Sequence, residues 1–267
     1  MNEAFVTVRE LAAWGLDDDD HRPTVYHGSS HSAHEFVHRK EPYDAKSALI
    51  EVTDHKLNER LKEEASRADL IAEMTGLQWS VGVVDLRLLL AFQRRITLES
   101  TVQEAVMRLL SEWDDLIDLC FGKSKPVLCE AIRTDASILL RSANPNLHFR
   151  ITNDCSNPIG VHAGSPFFEV AQYRDRWFLR DGYHRAFRCL QDGIHYLPAV
   201  IVQARSIEEL GATYPWFFSE QVLFSPRPPR VVDFLDDTLI LEYNRSPLIK
   251  TLRITVEETY TLRGEDL

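Results

Sequence analysis

Residues Trp177-Phe178-Leu179-Arg180-Asp181-Gly182-Tyr183-His184-Arg185-Ala186-Phe187-Arg188-Cys189-Leu190-Gln191-Asp192-Gly193-Ile194 read as a strand, a tight turn, a helix and a stop. Asp181-Gly182 breaks the strand pattern, because glycine reaches backbone angles closed to other residues. Tyr183, Ala186, Phe187 and Leu190 then recur at helical spacing and form one apolar stripe. Gly193 ends the helix, and Leu197-Pro198-Ala199-Val200-Ile201-Val202 follows as a strand. Tyr183 reads as a core residue whose hydroxyl can still reach a pocket edge. His184, Arg185 and Arg188 fall off the stripe. His184 and Arg185 occupy the first turn, where unpaired N–H groups and the helix dipole favour an anion. With Gly182 admitting a close approach, these residues predict a phosphate cradle.

Working outward, Leu147–Thr152, Ile159–His162, Phe167–Tyr173 and Arg176–Leu179 are short runs of strand type. Ser206-Ile207-Glu208-Glu209 is a capping box on a brief helix stopped by Gly211. Thr238–Tyr243 and Thr251–Val256 read as a closing pair of strands. Upstream, Leu57 to Met74 predicts an amphipathic helix, and Val81–Val84 a strand. Asp85 is placed to cap a helix through Leu86, Leu89, Leu90 and Phe92. Thr101-Val102-Gln103-Glu104 is a second capping box, ahead of a stripe through Val106, Leu109, Trp113, Leu116 and Ile117. Pro126 predicts the opening of a helix through Leu128, Ile132, Ala136 and Leu139. Residues 1–45 read as an arm or loop region. They hold Asp17–Asp20 and five histidines (His21, His27, His31, His34, His38) that no periodic scaffold fixes, so a solvated loop is expected over a metal site.

The 267 residues are 44% hydrophobic and 27% charged, values of a folded globular chain rather than a disordered or fibrous one. No run of about 18 apolar residues exists, and the start lacks a secretory pattern. Four scattered cysteines without a C-x-x-C pair fit reduced thiols, and a cytoplasmic protein is expected. The net charge of −11 disfavours a broad nucleic-acid surface. Against that background, Arg174, Arg176, Arg180, Arg185 and Arg188 face only Asp175 and Asp181 within one short stretch. Such a local excess suits one compact anion site, since the guanidinium fork grips phosphate bidentately; a charged hairpin surface is the alternative.

Pro158-Ile159-Gly160-Val161, a hairpin, Asp181-Gly182-Tyr183-His184-Arg185 and the strand at Pro198 together resemble the core of the ParB/sulfiredoxin superfamily over roughly residues 147–205. The turn is also similar to that of DGQHR-type domains and, less closely, to the D-G-H-T-R turn of ADP-dependent serine kinases of the same fold. The chain as a whole reads as an α+β protein in three segments: an N-terminal arm (1–45), a mainly helical portion (46–143), and, where the resemblance lies, a small ParB/sulfiredoxin-like mixed domain with a C-terminal strand extension (144–267). The resemblance places Gly182, His184 and Arg185 on a nucleotide or substrate phosphate, with Asp181 orienting the turn or helping to hold a metal ion. ATP or CTP with Mg²⁺ is the implied ligand, and NTP hydrolysis or phosphoryl transfer the implied reaction. Tyr183 stands where sulfiredoxins carry cysteine, so sulfinic-acid reduction is not implied. His162 and Arg188 are further candidates for the pocket, and Glu169 reads either as a general base or as a solvated strand carboxylate. Tyr214-Pro215-Trp216-Phe217-Phe218 is core or, if exposed, a partner surface. A non-catalytic accessory module binding a protein or DNA is the second expectation.

Overall fold

The computed structural model describes residues 5–23, 30–98, 112–123, 127–144, 146–151, 159–255 and 257–260. In chain order its elements are β1 (Val6–Leu11), α1 (Ser30–Val37), β2 (Leu49–Ile50), α2 (His55–Ala65), α3 (Ala68–Glu73), β3 (Trp79–Asp85), β4 (Leu90–Ala91) and β5 (Arg95–Leu98). Then come α4 (Trp113–Cys120), β6 (Glu130–Arg133), β7 (Ser137–Ser142), β8 (Leu147–Ile151), β9 (Ile159–Ala163), β10 (Glu169–Tyr173), β11 (Arg176–Asp181) and α5 (Tyr183–Gln191). The last are β12 (Tyr196–Ala204), α6 (Ile207–Leu210), α7 (Glu220–Leu223), β13 (Ile240–Arg245) and β14 (Lys250–Thr255). The chain is α+β. No helix among the described residues is long and apolar enough to cross a membrane.

Contacts divide the chain into two compact units, residues 1–123 with 165–246, and residues 124–164 with 247–267. The division cuts across the segments 1–45, 46–143 and 144–267. The larger unit holds a six-stranded sheet in the order β2-β3-β12-β10-β11-β4 and a three-stranded sheet β13-β1-β5. Its core includes the fully buried rings of Phe167, Phe168, Phe178, Phe187, Phe218 and Phe234. The smaller unit holds the sheet β14-β7-β6 and the hairpin β8-β9.

Several local expectations are corrected. The supposed arm contributes β1, the middle strand of its sheet, and Asp17 and Asp19 of the acidic run are ion-paired to Arg22 and Arg95 rather than solvated. The 57–74 helix is two helices, α2 capped by Asp54, which accepts from Lys56 N–H at 2.8 Å, and α3 beginning after Arg67. Asp85 does cap, accepting from Arg87 N–H at 3.0 Å, but over one 3₁₀ turn (Leu86–Leu88). The apolar run then continues as β4, because Leu89, Leu90 and Ala91 are buried, and pairing with β11 on one side and with residues 229–231 on the other satisfies the backbone. Pro126 lies outside the described residues; the helix expected through Ile132, Ala136 and Leu139 is the hairpin β6–β7. Thr134 Oγ1 accepts from Ser137 N–H at 3.0 Å, a local bond that stabilises a turn at the helix's expense. β13 and β14 do not pair with one another: β13 pairs β1, and β14 pairs β7 in the other unit. The Thr101–Glu104 capping box and the stripe through Leu109 lie outside the described residues; Trp113, Leu116 and Ile117 fall on α4.

Candidate functional site at the Asp181–Arg185 turn

β10 and β11 form a tight hairpin, β11 runs into Gly182, and α5 crosses over to β12, which lies parallel to β10. A β-bulge governs the chemistry. Val170 faces Leu179 in simple register, but Glu169 faces Asp181, so Arg180 and Asp181 both oppose one glutamate. Glu169 is 3% exposed and paired with Arg180. It is neither solvated nor remote from the turn. The Asp181 side chain is about one-third exposed, with Arg185 Nη2 3.6 Å from its Oδ1. Burial, and next the Glu169 carboxylate, push the Asp181 carboxyl up to about 7; Arg185 and the N–H groups of Gly182 and Ser165 pull the other way.

The folded-state value therefore stands above the ordinary 3.8, so between about pH 4 and 7 the folded state holds a proton that the unfolded state has released. The Asp181 contribution to stability is thus full below the unfolded value and lost as pH rises through the folded one. Asp181→Asn should be more stable relative to the natural chain at pH 8 than at pH 5, as measured by urea unfolding midpoints. A difference that stays constant or shrinks with pH would show that Asp181 ionises freely in the fold.

The other predicted site residues are distributed differently from the cradle. Gly182 adopts φ +102°, and a Cβ there would lie 2.4 Å from Phe168 Cδ2. The missing side chain makes room for a phenyl ring, not for a ligand. Tyr183 is buried; its hydroxyl donates to Leu179 O at 2.9 Å and accepts from Phe92 N–H at 3.1 Å and Gln93 N–H at 3.3 Å, so it is no ligand contact. Arg185 donates to Pro166 O at 2.8 Å, Leu119 O at 3.3 Å and Phe167 O at 2.7 Å. Its guanidinium is therefore spent on backbone. Leu119 lies in the last turn of α4, and Arg67 donates to Phe121 O and Gly122 O just beyond it. Two arginines thus clasp the carbonyl end of α4, where the helix dipole favours cations. His184 is exposed on the first turn of α5, and Arg188 is half-buried one turn on. His162 sits in β9 opposite His148, in the smaller unit; the turn belongs to the larger one.

The arginine cluster likewise resolves into separate structural duties. Arg174 pairs with Glu220 at 2.7 Å. Arg176 donates to the carbonyls of Leu223 (2.6 Å), Ser225 (3.0 Å) and Phe224 (3.3 Å), closing the end of α7. What the turn does assemble is a pair of carboxylates, each with one guanidinium, beside an exposed histidine. Sequence reading missed Ser165 and Phe168, which have no motif of their own. Glu169 was within reach of it, because a two-residue hairpin turn at Arg174-Asp175 carries the opposite strand back to the end of β11.

Mg²⁺ fits these residues poorly. A divalent ion held by both carboxylates would have to share its position with the Arg180 and Arg185 guanidinium groups. Among the described residues no three His, Cys, Asp or Glu side chains gather as ligands. No protein-family model, curated protein or solved structure matches the chain.

Proposed function

We propose that the Asp181–Arg185 turn binds a phosphate-bearing small molecule of nucleotide type, on a ParB/sulfiredoxin-like scaffold, with Asp181 as the proton-carrying group. The observation that carries this reading is the Glu169–Asp181 pair. One carboxylate is neutralised by Arg180, and the other is held near neutrality in protonation at the mouth of α5. A protonated Asp181 removes the repulsion that two carboxylates would present to an anion, and it can donate to a phosphate oxygen. His184, exposed on the same turn, supplies a second donor. In hydrolysis Asp181 is the group suited to protonate a leaving oxygen. The hairpin–turn–helix–strand order of β10 to β12 supports the scaffold, while β9, which carries Ile159-Gly160-Val161, pairs with β8 instead. No step is routed through Mg²⁺.

Calorimetry with ATP, ADP and CTP, run in two buffers of different ionisation enthalpy, tests it. Binding should take up a proton and weaken as pH rises through about 7. Asp181→Asn should abolish the proton uptake, and His184→Ala should weaken affinity. A silent titration with all three nucleotides, or identical heats for the natural chain and both variants, defeats the proposal.

A second reading, an accessory module for a protein partner, is favoured by one observation. Tyr214 and Trp216 are 43% and 50% exposed and stack at 4.6 Å with a 7° interplanar angle. The DNA variant of that reading is weakened, because Arg174, Arg176, Arg180 and Arg185 have internal partners.

A further inference from the structure

The structure points to a second site, independent of the turn: we infer that the edge of β3 beyond Val83, which no described strand covers, receives an extended peptide segment by strand addition. β3 pairs with β12 along its whole length, from Trp79↔Val202 to Asp85↔Tyr196. Its other edge is covered by β2 only at Leu49↔Val84 and Ile50↔Val83. The direction of the backbone groups follows from neighbouring bonds. Asp85 N–H donates to Ala48 O, on the β2 side. Leu86 N–H donates to His195 O, and Gln78 O accepts from Gln203 N–H, both on the β12 side. Odd-numbered residues of β3 therefore point their N–H and C=O towards β2. Beyond Val83 these are Val81 and Trp79, whose groups on this side no strand among the described residues pairs. Opposite them the chain has turned away: Val52 O accepts from Asn58 Nδ2 at 2.8 Å.

Proteins ordinarily blunt such edges with lysine, proline or a bulge. Trp79-Ser80-Val81-Gly82 carries none of these. Along this edge runs a groove of about 320 Å³ whose walls include Ile50, Val52 and Val81 from the sheet side and Leu61 and Ala65 from α2. Lys62 supplies the groove's charge. Its side chain is 74% exposed and its ammonium is countered by Glu59 on its own helix at 2.8 Å, an exchangeable partner. The occupant that satisfies edge, groove and charge together is an extended peptide from a protein partner. Its alternate apolar side chains fill the groove, its backbone pairs with Val81 and Trp79, and a carboxylate side chain meets Lys62.

Selection from a displayed library of random octapeptides against the full chain, followed by fluorescence anisotropy of the enriched sequence, tests the inference. The enriched peptides should show apolar residues at alternate positions with an acidic residue. They should also slow hydrogen exchange at Val81. Val81→Pro, which removes the edge N–H, should abolish binding. Lys62→Glu, on an exposed helix position that leaves the fold intact by circular dichroism, should weaken it roughly tenfold. Three results overturn the inference: no enrichment, binding that ignores Lys62→Glu, or a homodimer seen by sedimentation that Val81→Pro dissolves, which would make a second copy the occupant.

Discussion

Glutamine in place of Glu10 is expected to lower the unfolding free energy by about 3–5 kcal/mol, the range for breaking a buried ion pair from one side. Glu10 is 1% exposed in the middle strand of its sheet. Arg22 grips it bidentately, Nη2 to Oε1 at 2.8 Å and Nε to Oε2 at 3.0 Å. Arg95 Nη2 reaches Oε1 at 2.8 Å, and Tyr243 Oη donates to Oε2 at 3.2 Å. Burial alone would lift the Asp17 carboxyl, but Arg95, with Arg94 and Arg22, outweighs it and holds that carboxyl below its usual value, which ties the loop into the same network. Without the Glu10 charge, two guanidinium groups remain beside β1 with only Asp17 and Asp19 to share. Equilibrium denaturation should show a lower midpoint at unchanged slope. A loss under about 1 kcal/mol would place this cluster with weakly contributing surface pairs.

Gly182→Ala should cost about 2–5 kcal/mol, from left-handed backbone strain of about 1–2 kcal/mol and overpacking of about 1–3 kcal/mol. The collision is with the ring of fully buried Phe168, at 2.4 Å and 2.9 Å from the added carbon, so it cannot be relieved by swinging a flexible tip. The two causes separate in a double-mutant cycle with Phe168→Leu. In the Leu background alanine at 182 should recover the overpacking share and retain the strain. Additive losses would mean that the ring gives way freely, and that the glycine serves the backbone alone.

The hairpin, turn, helix and strand from β10 to β12 were legible because their signals are local. The stripe Tyr183–Leu190, the stop at Gly193 and the strand at Pro198 need no distant partner to be read. The cap at Ser206 with Gly211 in the left-handed region was legible for the same reason. What escaped depends on partners far along the chain. Arginine donors read as ligands for phosphate find backbone carbonyls instead: Arg185 reaches Leu119, 66 positions away, and Arg176 reaches Leu223, 47 positions away. A guanidinium in a motif looks the same whether it will meet a ligand or the end of a helix. β1 escaped because its ladder partners come from β5 and β13. The Ile132–Leu139 run escaped because apolar spacing there suits either period, and a single Thr134 side-chain bond decides for the turn.

The placement of β1 between β5 and β13 also has a consequence during biosynthesis. Glu10 and Tyr243 are separated by 233 positions. At about 5–20 residues per second, roughly 10–50 s elapse on the ribosome between the emergence of the first strand and that of its outer neighbour. For the first part of that interval β1 has no sheet neighbour, then only β5, and a buried glutamate must wait for its tyrosine. A chain truncated before residue 240 should therefore engage holdase chaperones even though most of its helices are already complete.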